Sequence, residues 1–178
     1  MRRYAIPIPD RSEAPQDVKP SSAPHPVFKR MIDEAKPDII IEIGACQGGS
    51  TVHMASLTEA TIISVDTWAT LGGRDCFDWF MRHVGCRKLG KQVVALQMKS
   101  IAAAHLAAKH DLKPRLVYID GGHDEVNVTI DITNWLSLIP SGGILFGHDY
   151  NLGGVKNAVT KCLGEVDTDG VFWIWRVK

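Results

Sequence analysis

Apolar positions along the chain follow two alternating rhythms. Short apolar runs at Ile39–Ile43, Thr61–Asp66, Gln92–Met98, Arg115–Ile119 and Ile144–Phe146 are bounded by turn formers or polar residues, as suits strands buried on both faces of a parallel sheet. Between them, apolar residues recur at three- and four-residue steps, the spacing of helices with one covered face. Val27–Ala35 places Val27, Met31 and Ala35 on one side and stops at Pro37, and Val52–Leu57, Cys76–Val84 and Ile101–Lys109 read as further helices. Asp124 caps a helix that turns Val128, Ile132, Trp135, Leu136 and Ile139 inward, and Gly153–Leu163 does the same with Val155, Ala158, Val159 and Cys162. The tail Glu165–Lys178 predicts a hairpin around Asp167–Gly170, with Val171, Trp173, Trp175 and Val177 alternating against Phe172 and Ile174. Strand followed by helix, repeated, predicts an open α/β sheet whose ligand crevice lies at the carboxyl ends of the strands.

Residues 1–26 show neither rhythm and hold six of the nine prolines. They read as a proline-rich arm that is disordered, packs over the sheet, or reaches a neighbouring subunit or a substrate mouth. That leaves one domain, 27–178. At 178 residues and 45% hydrophobic content the chain can build a single substantial core. Lysine plus arginine and aspartate plus glutamate balance at 20 each, so net charge steers the protein toward neither nucleic acid nor anionic membrane, and small partners are favoured. Cys46, Cys76, Cys86 and Cys162 form no C-x-x-C pair and read as reduced thiols. No apolar run approaches a membrane span, and MRRYAIPIPD lacks a signal core, which points to a cytoplasmic location.

Chemistry enters where the strands end. The first strand runs into Gly44, Gly48 and Gly49, which permit a tight turn and close backbone approach to a ligand, while Ser50 or Thr51 can cap the next helix. Glu42 interrupts the apolar run and needs a partner. A dinucleotide fingerprint would place its second glycine where Cys46 stands, which disfavours a nicotinamide-dependent oxidoreductase. Asp66 closes the second strand 22 residues after Gly44, a distance suited to accepting ribose hydroxyls, although a strand-end aspartate also caps turns. Ser100 stands beyond the third strand. The fourth strand ends in Asp120-Gly121-Gly122-His123 and the fifth in Gly147-His148-Asp149, so two adjacent strands deliver two carboxylates and two imidazoles to one crevice. Such a set binds a divalent metal with open positions or serves as acid and base; each member alone can equally cap a helix or face water. Trp68, Phe77, Trp79 and Phe80, within 67–91, read as a partly mobile lid over the site or as core.

Together IEIGACQGGST, VDTW, LVYIDGGHD, the spacing of Asp131 and Trp135, SGGILFGHDY and GGVKNAV resemble the class I S-adenosylmethionine-dependent methyltransferases, in particular the small macrocin-type O-methyltransferases, over about 38–177. The resemblance implies a Rossmann-like, mostly parallel seven-stranded sheet of order 3-2-1-4-5-7-6, last strand antiparallel, with helices on both faces. It implies a cofactor set of Glu42, Gly44, Gly48, Ser50, Asp66, Ser100 and Asp120, with Asp66 on the ribose and Ser100 near the adenine. Asp120 and Asp149 match carboxylates that hold magnesium in metal-dependent members, and His123 or His148, beside Asp120, would act in proton removal from a substrate hydroxyl; the imidazoles also admit Mn²⁺. Gly122, His148 and Lys99 depart from the family pattern, standing where sugar-modifying or other relatives carry acids. The expected activity is O-methylation of a small acceptor such as a sugar, phenol or polyol, and the chain is a possible homo-oligomer. A non-catalytic Rossmann-like binding protein is the alternative.

Overall fold

The computed structural model describes residues 4–8, 25–69 and 74–178. Its strands are β1 (Ile39–Ile43), β2 (Thr61–Asp66), β3 (Val93–Gln97), β4 (Leu116–Ile119), β5 (Ile144–Gly147), β6 (Asp167–Asp169) and β7 (Phe172–Arg176). Its helices are α1 (Pro26–Ala35), α2 (Gly49–Ala55), α3 (Arg74–Cys86), α4 (Ser100–Lys109), α5 (Glu125–Leu136) and α6 (Gly153–Leu163). The seven strands form one sheet of order β3-β2-β1-β4-β5-β7-β6, parallel from β3 to β5 and antiparallel at β5–β7 and β7–β6, as the resemblance implied.

Each face of the sheet carries its own core, which explains the unbroken apolar runs. Alternate strand residues, among them Ile40, Ile62, Tyr118 and Phe146, pack under α1, α2 and α3. The other set, with Ile41, Val65, Val117 and Leu145, packs under α4, α5 and α6. Because β1 to β5 run in one direction, their carboxyl ends share one edge of the sheet. The ladder continues one residue past several of these ends: Gly44 N–H donates to Val65 O at 2.9 Å, Asp120 N–H to Ile43 O at 2.8 Å and His148 N–H to Ile119 O at 3.1 Å. The chain leaving each strand is thereby held in register with its neighbour.

Part of the proline-rich arm lies on the sheet. Ile6 N–H donates to Ala95 O at 3.1 Å in an antiparallel bridge that covers the β3 edge, while residues 9–24 lie outside the described residues. The opposite edge is only three residues long and carries Asp167 and Asp169. No helix among the described residues is long and apolar enough to cross a membrane.

Two local expectations need correction. Neither Ser50 nor Thr51 caps α2; the N-cap is Gly48, in a left-handed conformation, and both hydroxyls turn inward. The aromatics of the expected lid are largely core: Trp68 and Phe80 are buried, and Trp68 packs on Phe77 and Phe80 at centroid distances of 4.9 and 5.0 Å. Residues 70–73 of that segment lie outside the described residues.

Candidate active site

Glu42 explains the turn after β1. Its side chain is fully buried among α2 and β2, and its carboxylate accepts from the hydroxyls of Ser50, Thr51 and Ser64, the last at 2.7 Å. Burial raises its pKa, and the three hydroxyls offset part of the rise. The acid therefore ties α2 to β1 and β2, and neither Glu42 nor Ser50 lines the cleft described next. Gly44, with φ of 89°, sits so close to β4 that a Cβ would overlap the Asp120 carbonyl oxygen. Gly48 (φ 83°) is pressed against the Phe80 ring.

A cleft of about 720 Å³ opens along the strand ends. Gly44 and Cys46 border it from the turn, Asp66 from β2, Met98–Ile101 from the passage between β3 and α4, and Asp120–His123 from β4. Asp66 is fixed by the backbone: Oδ2 accepts from Cys46 N–H and Oδ1 from Trp68 N–H, each at 2.8 Å. Trp68 Nε1–H returns to Cys46 O at 2.7 Å, closing a ring of bonds around the turn. Each Asp66 oxygen, accepting one bond, retains further acceptor capacity. Cys46 itself adopts φ of 43°, so this side chain tolerates the left-handed turn usually given to glycine. Its thiol lies 3.7 Å from that of Cys76, and burial together with that neighbour pushes its pKa up to about 11. None of the four cysteines is in a disulfide.

Beside the cleft the four polar residues from β4 and β5 converge. Asp149 receives both imidazoles, with His123 Nε2 at 3.0 Å from Oδ2 and His148 Nδ1 at 3.1 Å from Oδ1. His148 Nδ1 also stands 3.9 Å from Asp120 Oδ1. Asp149 reaches inward from a left-handed backbone, φ 59°. Gly154 packs directly on the His123–Glu125 backbone, so the start of α6 buttresses the loop that carries His123. Ligand atoms of Asp120, His123 and Asp149 all lie within 4.8 Å of one another.

Two residues of this neighbourhood escaped the sequence reading as functional groups. Tyr118 donates its hydroxyl to Asp120 Oδ2 at 2.9 Å; it precedes Asp120 by two, the strand repeat that brings side chains to one face. Asp131, marked only by its spacing to Trp135, is buried in α5 and borders the cleft. The available signal was an acid at the centre of an apolar helix face, Val128-Asp131-Ile132-Trp135. Burial lifts its pKa to about 6, with the Ser100 hydroxyl opposing the rise and Asp124 adding to it. Ser100, in turn, accepts from Trp135 Nε1–H at 2.9 Å. A Cβ on Gly122 would meet that of Asn127 at 2.9 Å, so Asn127 occupies the space beside this glycine.

A family profile described as "Methyltransferase domain" matches residues 41–150, more than half of the chain and all of the strand-end residues just described. The chain belongs to the methyltransferase-domain family. Solved structures of the same fold include the O-methyltransferase from Bacillus cereus in complex with SAH, at 16% identity and TM-score 0.70, covering 93% of this methyltransferase and 84% of that chain. CalS11, a TDP-rhamnose 3'-O-methyltransferase of calicheamicin biosynthesis, aligns at 15% identity and TM-score 0.67 over 84% and 76% of the two chains. The SAH-bound Podospora anserina methyltransferase PaMTH1 does so at 14% and 0.67 over 85% and 76%. No curated protein sequence matches the methyltransferase.

Proposed function

We propose that the methyltransferase transfers a methyl group from S-adenosylmethionine to a hydroxyl oxygen of a small molecule, and that it acts in the cytoplasm. The observation that carries this reading is the junction of two sites: the cleft bordered by Asp66 opens directly on the Asp120–His123–Asp149 group. Bound S-adenosylmethionine supplies a methyl carbon made electrophilic by its sulfonium. Asp66 accepts the ribose hydroxyls, and the Gly44 turn gives the methionine part access to backbone, with Asp120 near its ammonium. His123 borders the cleft and is oriented by Asp149 through Nε2, which leaves Nδ1 to take the acceptor's proton. The oxygen then forms its bond to the methyl carbon as the carbon–sulfur bond breaks, giving a methyl ether and a thioether. Holding both reactants in line supplies much of the acceleration.

The donor set also fits a divalent cation. Asp120 and Asp149 would hold it, with His123 as a third ligand, and two oxygens plus an imidazole suit Mn²⁺ as well as Mg²⁺. Such an ion lowers the pKa of a coordinated hydroxyl.

Calorimetry with S-adenosylmethionine and S-adenosylhomocysteine on the wild type and Asp66→Ala tests the cofactor. Micromolar binding that the variant loses is expected; no binding to the wild type, with or without Mg²⁺, would remove the reading.

A further inference from the structure

Asp131 has no role in the scheme above, yet it is 6% exposed and borders the cleft. An ionised carboxylate offers about four acceptor positions, and a buried one needs them met. Among the described residues no lysine or arginine acts on Asp131; the Ser100 hydroxyl, already accepting from Trp135, is the one described group that favours its charge, and Asp124 opposes it. The carboxylate therefore stands at the cleft wall with acceptor capacity to spare.

Its surroundings indicate what donor would meet it. With ribose on Asp66 and the reacting methyl toward Asp120 and His123, the space left for the base runs between the Met98–Ile101 passage and α5. Met98, Ile101 and Ile130 give that end apolar walls suited to a flat ring. We propose that Asp131 is the residue that reads the base of the cofactor, accepting a hydrogen bond from the exocyclic 6-amino group of adenine. Ser100 is then a positioning residue: Trp135 fixes its oxygen, and its hydrogen holds Asp131 in place. This rests on the cofactor assignment above, and it gives a role to the buried acid at the centre of an apolar helix face.

The experiment compares S-adenosylhomocysteine with two analogues by calorimetry: S-inosylhomocysteine, which carries a carbonyl in place of the amino group, and the 6-unsubstituted purine analogue. Wild type is expected to bind S-adenosylhomocysteine at least about tenfold more tightly than either, as a hydrogen bond to a charged group supports. Asp131→Asn is expected to bring the ratio for the inosyl compound to within about threefold, because an amide can donate to the carbonyl. A merely structural Asp131 would weaken all three ligands together and leave the ratios intact. Equal binding of all three ligands by wild type overturns the proposal without any variant, as do unchanged ratios in a folded Asp131→Asn. If none of the three binds wild type, the cofactor assignment itself falls, and the base-reading role with it.

Discussion

Glu42 and Asp131 are both acids surrounded by apolar residues, and their partners decide what each does. Glu42 has three hydroxyl donors and no access to the cleft, so its contribution is to the turn. Glu42→Ala would strand Ser50, Thr51 and Ser64 without their acceptor and open a cavity, costing about 2–4 kcal/mol. A chain of this size should then melt roughly 5–15 °C lower; an unchanged melting temperature would show that the turn does not depend on this acid. For Asp131 burial outweighs the Ser100 hydroxyl, and that has a pH signature. Its folded pKa of about 6 lies above the ordinary carboxylate range, so between about pH 4 and pH 6 the folded chain retains a proton that the unfolded chain has released. Its contribution is fully present below that window and is lost as pH rises through about 6. Removing the charge with Asp131→Asn should therefore help more at pH 7.5 than at pH 4. The variant-minus-wild-type difference in melting temperature of the unliganded protein is expected to rise by about 5–10 °C between them. A difference independent of pH would refute the burial argument. Cys46 illustrates the same physics in a thiol: with its pKa pushed up to about 11, iodoacetamide at pH 7.5 should modify it on the order of a hundredfold more slowly than an unperturbed thiol, read by mass spectrometry of the peptide.

Between elements, the passages from strand to loop matter most, because Gly44, Asp120 and His148 are each held by the neighbouring strand's backbone. Gly44 is the tightest of these. Its φ of 89° and the overlap of any Cβ with the Asp120 carbonyl mean that Gly44→Ala must push β1 and β4 apart at the site edge. A loss of about 3 kcal/mol or more is expected, seen as a large fall in melting temperature or a failure to fold; a variant melting within a degree or two of wild type would contradict the close approach. The five parallel strands were legible because each reads as one apolar run buried under helices on both faces, their order came from the family resemblance, and β1, β2 and α6 have the expected bounds. The convergence of Asp120, His123, His148 and Asp149 was legible for a related reason: adjacent parallel strands must deliver their carboxyl ends together. What was not legible was which face each side chain takes. Glu42 and Ser50 were expected at the ligand, but strand alternation and pairing register set Glu42 beside Ser64 and Tyr118, under the helix layer. The aromatics after Asp66 sit at helical spacing, which serves a lid and a core equally, and only packing against Phe80 and the turn decides for core. Asp131 was seen as a spacing and not as a group, since nothing in one sequence tells that the apolar face around it borders a cleft.

At the scale of the whole molecule, the sheet edge divides the work between two sets of strand ends. Asp66 on β2 and the turn after β1 border the cleft, whereas Asp149 lies beyond β5 and outside the cleft lining. Asp120, just past the end of β4 between them, belongs to both. Groups that share no partner contribute independently, so single substitutions should separate the two binding events without knowledge of the acceptor. Asp66→Ala should lose most of its S-adenosylhomocysteine affinity while holding Mn²⁺ as wild type does, followed by the paramagnetic resonance of free Mn²⁺. Asp149→Ala should do the reverse, because its loss leaves His123 and Asp120 without the second carboxylate. Asp120→Ala should weaken both, and its effect should approach that of the double substitution. If Asp149→Ala leaves Mn²⁺ binding intact, the ion is held without that carboxylate; if wild type binds none, the cluster works through its imidazoles alone. His123 would then carry the proton transfer unaided, and His123→Ala would lower turnover by about 10²–10⁴ while leaving cofactor affinity unchanged.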